Sequence, residues 1–371
     1  MTKSLVIAEK PSVASDIAKA LGGFKKVKDI YERDDMIITS AVGHLLDMIV
    51  PEKHDIKRGK WTFKNLPHIP LKFGLAPFSK TEAKLKTILK QIKRKDINLL
   101  INACDAAREG ELIFRRIVEH SKSKLEIKRL WLQSMTAESI REGFRNLKSD
   151  SELIPLADAA QSRSEADWLI GINGTRAFTA FNSQDGGFYK TPVGRVKTPT
   201  LAMVVEREKQ ISSFVSKPFQ ELNVVFKSKN SAYIGKWFDP KFKKDKNNPE
   251  FRAERIWDKF FSRKIQEAIK DKKVEVKDES KNSSQSPPQL FDLTSLQREA
   301  NSKFGFSAKN SLGLAQALYD RHKVITYPRT DSKALPEDYV NTVKDTIKSL
   351  SSIKEISNFC QEALKNNLIN S

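Results

Sequence analysis

The amino-acid sequence predicts a multidomain protein of the α/β plus α class, and three observations carry that prediction. The chain has 371 residues, more than one hydrophobic core usually serves, so two or more domains are expected. In its first third, short apolar strand-like runs alternate with amphipathic helical stretches, the pattern of an open and largely parallel sheet. Farther on the pattern turns helical, gives way to a sheet-like stretch, and becomes helical again.

The run SLVIAE at residues 4–9 is an apolar strand ending in a loop, after which Pro11 and Ser12 open a helix reaching about Gly22. MIITSAV (36–42) and INLLINACD (97–105) are further buried strands, ELIFRRIVEH (111–120) is helical, and IKRLWL (127–132) adds one more strand. Residues 43–78, rich in Pro, Gly, His and Lys, read as irregular. From about Asp158 to Gln210 the chain reads as helical, broken at the Gly-rich segment 186–194. ELNVVF (221–226) and AYIGKWF (232–238) look like sheet, and KKDKNN (243–248) like an exposed turn. DESKNSSQSPP (278–288) is the best linker candidate. Beyond it, residues 291–322 read as two helices joined around Gly305, and the tail from Ser351 has the spacing of an amphipathic helix.

Composition narrows the class. A hydrophobic content of 39% against 30% charged residues describes a soluble globular chain. With 66 Lys and Arg against 46 Asp and Glu, the net charge is +20. Such a surplus favours a polyanionic partner, because phosphates neutralised by Lys or Arg release condensed counterions. Two cysteines, Cys104 and Cys360, supply neither a disulfide framework nor a four-cysteine zinc site. No apolar run has signal-peptide or membrane-spanning character, so a cytoplasmic protein without membrane association is expected.

Chemistry is expected at the carboxyl ends of the parallel strands. Glu9 and Lys10 follow the first strand directly, and Asp105, Glu109 and Glu111 follow the strand 97–105. Carboxylates on such a turn can converge on a hard cation, which takes oxygen ligands and keeps several waters. Acids also favour a helix N-terminus for its dipole alone, and Glu111 is read that way. Tyr327 stands between the strand-like Val324-Ile325-Thr326 and the turn Pro328-Arg329. By itself it reads as a core tyrosine. As a nucleophile, a phenol with a pKa of about 10 needs activation. Arg329 could stabilise a phenolate or grip a phosphate. There is no HExxH, no Walker A loop and no GxGxxG, which argues against an ATP-driven motor.

Six segments in order, AEKPSVA (8–14), DAAREGELIF (105–114), RSEADWLIGINGTRA (163–177), VGRVKTPTLAMVVERE (193–208), LTSLQREAN (293–301) and ITYPRTDS (325–332), resemble the type IA DNA topoisomerases, bacterial DNA topoisomerase III above all. The resemblance implies a Rossmann-like Toprim domain at 1–155 with an irregular insertion at about 43–78. It further implies the first part of a helical DNA-binding domain at 156–214, the first part of a β-rich arch at 215–285, and a helical domain carrying the tyrosine at 286–371. It implies that Tyr327 attacks a phosphodiester of single-stranded DNA, leaving a 5′-phosphotyrosine and a free 3′-hydroxyl. A strand passes through the gap and the break is resealed without ATP. Glu9 would act as general acid–base, Lys10 and Arg329 would stabilise charge, and Asp105 and Glu109 with Glu9 would hold Mg²⁺. Arg163, Asp167, Arg195, Lys197 and Thr198 match positions that cradle the DNA strand. Gln297 lies in the matching segment without an assigned role.

Three departures bear on these expectations. Ala107 stands at the centre of an acidic signature that is often Asp-x-Asp-x-Glu, so two acids would bind a single ion or bind more weakly. Lys197 replaces a glutamine and keeps a donor while adding charge. The sequence ends about forty residues after Tyr327, whereas family members continue through the rest of the tyrosine, arch and helical domains. An incomplete type IA core is therefore expected. Two alternatives are a non-catalytic single-strand-binding remnant, or one part of a split enzyme, and a Toprim nuclease or primase. The second of these leaves ITYPRTDS without a purpose.

Overall fold

The computed structural model describes residues 2–51, 61–246, 248–322, 324–366 and 368. The chain divides into two compact units, residues 1–198 with 287–371, and residues 199–286.

The larger unit is built on a seven-stranded sheet. Its elements begin with β1 (Lys3–Ala8), α1 (Pro11–Leu21), β2 (Lys25–Val27), β3 (Ile30–Glu32) and β4 (Met36–Ser40). A small hairpin, β5 (Leu46–Met48) and β6 (Leu75–Pro77), follows, then α2 (Glu82–Ile92), β7 (Ile97–Ala103), α3 (Arg108–Ser121), β8 (Glu126–Arg129), α4 (Ala137–Arg145) and β9 (Lys148–Ser149). The sheet order is β2-β3-β4-β1-β7-β8-β9. The central four strands are parallel and the edges antiparallel, which agrees with the expected largely parallel sheet.

The central strands are apolar on both faces because both faces are covered. In β1 the side chains alternate. Leu5 and Ile7 join Leu85, Ile88, Ile113, Phe114 and Ile117 from α2 and α3. Val6 and Ala8 join Val13, Ala14 and Ile17 from α1 and Ile140 from α4. Pro11 sits in the first turn of α1, where its missing N–H is no loss, and Gly22 closes the helix. Thr136 caps α4 by accepting from the Ser139 N–H at 3.2 Å.

A 33-residue helix, α5 (Asp150–Asn182), leaves the sheet and packs on α3. It begins eight residues before the expected start. A capping box between Ser149 and Glu152 nucleates it, and Pro155 is accommodated early in the helix. Gly174 lets the returning chain lie close, since a Cβ there would meet Val193 Cγ1 at 2.9 Å. Thr175 Oγ1 accepts from the Val193 N–H at 3.0 Å in the same contact. Helix α6 (Lys197–Ser212) follows the expected break.

In the smaller unit, β10 (Asn223–Lys227) and β11 (Ala232–Lys236) form an antiparallel hairpin, followed by α7 (Lys259–Ile269). Both strands are shorter than their apolar runs. The turn expected at 243–248 includes Asn247, outside the described residues. Residues 278–288, the linker candidate, carry no helix or strand.

The larger unit resumes with α8 (Leu293–Phe304) and α9 (Ala308–Ala317), which turn at Gly305 as expected. Then come α10 (Val340–Leu350) and α11 (Ser357–Lys365), the latter within the helical tail. Residues 367 and 369–371 of that tail lie outside the described residues. Three expectations are corrected. Val324-Ile325-Thr326 is not a strand: Val324 is 66% exposed and, among the described residues, no partner strand pairs with the run. The strand read as 127–132 ends at Arg129, where β8 stops pairing. The segment 43–78 contains the β5–β6 hairpin, while its residues 52–60 lie outside those described.

Candidate active site

The carboxyl ends of β1, β4 and β7 bring Glu9, His44 and Asp105 to one edge of the sheet. Glu9 Oε2 accepts from the Asp105 backbone N–H at 3.3 Å. Lys10, at the N-cap of α1, places its ammonium 3.4 Å from Asp105 Oδ2 and 3.7 Å from Glu9 Oε1. Burial pushes the Glu9 carboxyl above its ordinary range and the Asp105 charge adds to the push, against the opposing pull of Lys10 and the Asp105 N–H. For Lys10 burial works downward, but Asp105, Glu9 and Tyr327 overcome it and hold the ammonium more firmly charged than usual.

Tyr327 meets this cluster from the other end of the sequence. The Lys10 ammonium lies 4.7 Å from the centroid of its ring. The edge of Tyr319 packs on Tyr327 with centroids 5.4 Å apart. A five-residue π-helical turn, Leu318–His322, carries Tyr319. Tyr327 is half-buried, not a core tyrosine. Arg329 stands exposed, with no ion pair among the described residues.

The loop bearing Asp105 is held from beneath. Arg129, 1% exposed, donates through Nη2 to the Asp105 carbonyl at 2.7 Å, and through Nη1 to Asn102 O at 3.0 Å and Oδ1 at 2.8 Å. Glu111 lies 3.6 Å from Arg129 Nε and accepts from Asn102 Nδ2 at 3.0 Å and Arg115 Nε at 2.8 Å. Glu111 is thus a buried framework carboxylate as well as a first-turn acid of α3. Gly110 lets the loop fold onto that turn, because a Cβ there would collide with the Asp105 carbonyl oxygen. Sequence reading missed Arg129 and His44. The available signal was a cation in the apolar run IKRLWL, a position that demands buried acceptors, and a histidine just past a strand end.

Glu109 is apart from the other acids. Its Oε2 lies 3.3 Å from His44 Nε2, and the carboxylate is 60% exposed. Among the described residues, no group of three or more His, Cys, Asp or Glu side chains converges as a metal cage. The donor chemistry nevertheless fits Mg²⁺, which takes one or two carboxylates and keeps its waters. Of the expected DNA contacts, Arg195 and Asp167 are paired at 2.7 Å. Arg163 lies one turn earlier on α5, half-exposed. Thr198 Oγ1 accepts from the Gly194 N–H at 3.2 Å, and Lys197 is exposed at the start of α6.

The state of Glu9 has a consequence for stability. A carboxyl whose folded pKa is raised stabilises the fold below its unfolded pKa, and that contribution is lost as pH rises through the folded value. At neutral pH its charge therefore opposes folding. Glu9→Gln, which keeps an acceptor for the Asp105 N–H, is expected to melt at or above wild type at pH 8, with the advantage gone below about pH 4. Thermal melts at both pH values check this; a clear fall at pH 8 would assign Glu9 to the structural framework.

A family model described as DNA topoisomerase matches residues 151–370, and a Toprim domain model matches residues 4–135. The DNA topoisomerase 3 of Bacillus cereus is 40% identical over 350 residues, covering 94% of this chain and 46% of that protein. The DNA topoisomerase 3 of Bacillus subtilis is 39% identical over 352 residues with the same coverage. The chain thus spans about half the length of these relatives. Among solved structures, full-length topoisomerase I from Thermotoga maritima superposes with a TM-score of 0.54 at 22% identity, over 93% of this chain and 52% of that one. That likeness concerns the fold. With one family model covering more than half of its residues and the Toprim model its first third, the chain belongs to the type IA DNA topoisomerase family.

Proposed function

We propose that this chain carries the cleavage and resealing centre of an ATP-independent DNA topoisomerase, with Tyr327 as its nucleophile. The observation that carries the proposal is the seating of Tyr327 on Lys10 within the Glu9–Asp105 cluster. The Tyr327 oxygen attacks a phosphorus of single-stranded DNA and gives up its proton to solvent. The bond from phosphorus to the 3′-oxygen breaks, and Glu9 in its acid form protonates that oxygen. In resealing, the 3′-hydroxyl attacks the phosphotyrosine phosphorus while Glu9 takes the proton back, the bond to Tyr327 breaks, and the released phenolate regains a proton from solvent. The raised affinity of Glu9 for a proton suits the first step. Lys10 sits where it would offset charge on the phosphate, and Arg329 is free to reach a DNA phosphate.

Asp105 and Glu109, with Glu9, would hold Mg²⁺, which helps position the DNA ends for resealing. Arg163, Asp167, Arg195, Lys197 and Thr198 form the strand-binding set, and a net charge of +20 supports a nucleic-acid partner. The phosphotyrosine conserves the energy of the broken bond, so no ATP is needed. On this reading residues 1–155, 156–214, 215–285 and 286–371 are the Toprim, helical, arch and tyrosine segments. The enzyme acts in the bacterial cytoplasm on single-stranded regions of supercoiled or catenated DNA. Among the described residues, no helix is long and apolar enough to cross a membrane.

The test is the polarity of covalent capture. When single-stranded DNA is trapped with denaturant, a 3′-end label should travel with the protein and a 5′-end label should be released on a fragment ending in a 3′-hydroxyl. Capture of the opposite end, or free ends alone, would refute the proposal; free ends alone would favour a Toprim nuclease.

A further inference from the structure

The tyrosine-bearing segment makes a second polar contact with the Toprim sheet, away from Lys10. Ser134 and Thr136 lie in the loop before α4. Ser134 Oγ donates to Asp338 Oδ2 at 2.6 Å, and Thr136 Oγ1 donates to the same oxygen at 2.9 Å. Ser134 is buried, and Tyr339, next to Asp338, is half-buried. Asp338 therefore places its charge at the N-terminus of α4, where the helix dipole favours an anion. It lies eleven residues after Tyr327, and the chain between them carries no helix or strand up to the short turn at Glu337–Tyr339.

This inference rests on the cleavage reading above. In that cycle the 5′ end leaves with Tyr327 while the 3′ end stays beside Glu9, so the two sides must part for a strand to pass and then meet again. A contact between them has to hold firmly yet release into water. Charge-assisted hydroxyl bonds suit this, because water can replace each partner on opening. We propose that Asp338, with Ser134 and Thr136, is a reversible latch. It returns Tyr327 to Lys10 and Glu9 for resealing and lets go for strand passage. Asp338 is a positioning residue, touching neither DNA nor Tyr327.

The latch is tested by distance rather than by activity alone. Both native cysteines are buried, so spin labels on Glu138→Cys in α4 and Asp345→Cys in α10 report the separation of the two sides in the full chain. The unmodified latch should give one short distance. Asp338→Ala should lower the ratio of closed to open molecules about tenfold, with Asp338→Asn, which keeps an acceptor without the charge, in between. Asp338→Ala should add little in a Ser134→Ala background. Covalent DNA adducts of Asp338→Ala should reseal more slowly, with the melting temperature near wild type. Unchanged distances in Asp338→Ala, or changes that appear only when the melting transition itself is lost, would overturn the latch. Shifted distances in a chain that never captures DNA would uphold the latch and refute the role of Tyr327.

Discussion

Tyr327→Phe is expected to abolish covalent capture of single-stranded DNA, by about a thousandfold or more, with binding held within about twofold. The substitution removes one oxygen and little else. Phenylalanine keeps the ring that Lys10 faces at 4.7 Å and that Tyr319 meets edge-on at 5.4 Å. The half-buried position can accept the smaller side chain without a cavity. Loss of the hydroxyl at this half-buried position should lower stability by no more than about 1 kcal/mol. A defect confined to adduct formation, with salt-dependent binding intact, is therefore chemical. Trapping end-labelled DNA on both proteins under one set of conditions makes the comparison. Residual capture near the wild-type level would move the nucleophile elsewhere, and Tyr319 would be the first candidate by proximity.

The parts of this fold that were legible in the sequence are those where local pattern and burial agree. LVIA (5–8) and LLI (99–101) are unbroken apolar runs because helices cover both faces of the sheet, and Pro11 and Gly22 bracket α1 with the residues helix ends require. The misreadings arose where propensity had no tertiary support. Val324, Ile325 and Thr326 favour strands, yet a strand needs a neighbour and none among the described residues pairs there. The helical reading from about Asp158 started late because the capping box of Ser149 and Glu152 opens α5 at Asp150.

Pattern alone pointed to the acids at the two strand ends, but their union with Tyr327 was legible only by resemblance. Glu9 and Tyr327 are more than three hundred residues apart, and no spacing rule joins them. The structure brings Lys10, Glu9, Asp105 and Tyr327 together and leaves Arg329 exposed. Glu109 pairs with His44, a residue the sequence did not single out. Reading Glu111 as a helix-dipole acid was sound locally, since it does lie in the first turn of α3. Its burial against Arg129 depends on β8, which no local pattern reveals.

That buried pair carries the second large effect. Arg129→Ala is expected to destabilise the Toprim sheet by about 3 kcal/mol or more, lowering its melting transition by about 10 °C. Burial weakens the hold of Arg129 on its proton, but the guanidinium remains charged at any working pH. Its removal takes a charged donor from three acceptors at once, the carbonyls of Asn102 and Asp105 and the Asn102 amide oxygen, leaving each with a single backbone N–H, from Leu130, Ala107 and Cys104 respectively. Glu111, 1% exposed, would keep Arg115 and Asn102 but lose its nearest buried cation. Arg129→Lys should be nearly as damaging, because a single ammonium cannot span acceptors on both sides of the loop. Arg129→Met combined with Glu111→Gln should recover part of the loss, since discharging both partners spares the uncompensated buried charge. Melting curves of the four proteins separate charge from packing. A loss below about 1 kcal/mol in Arg129→Ala would show that water and Arg115 can replace the network. A loss of the expected size would mean that the Asp105 carbonyl, and with it the carboxylate that Lys10 contacts, is held in place from inside the sheet.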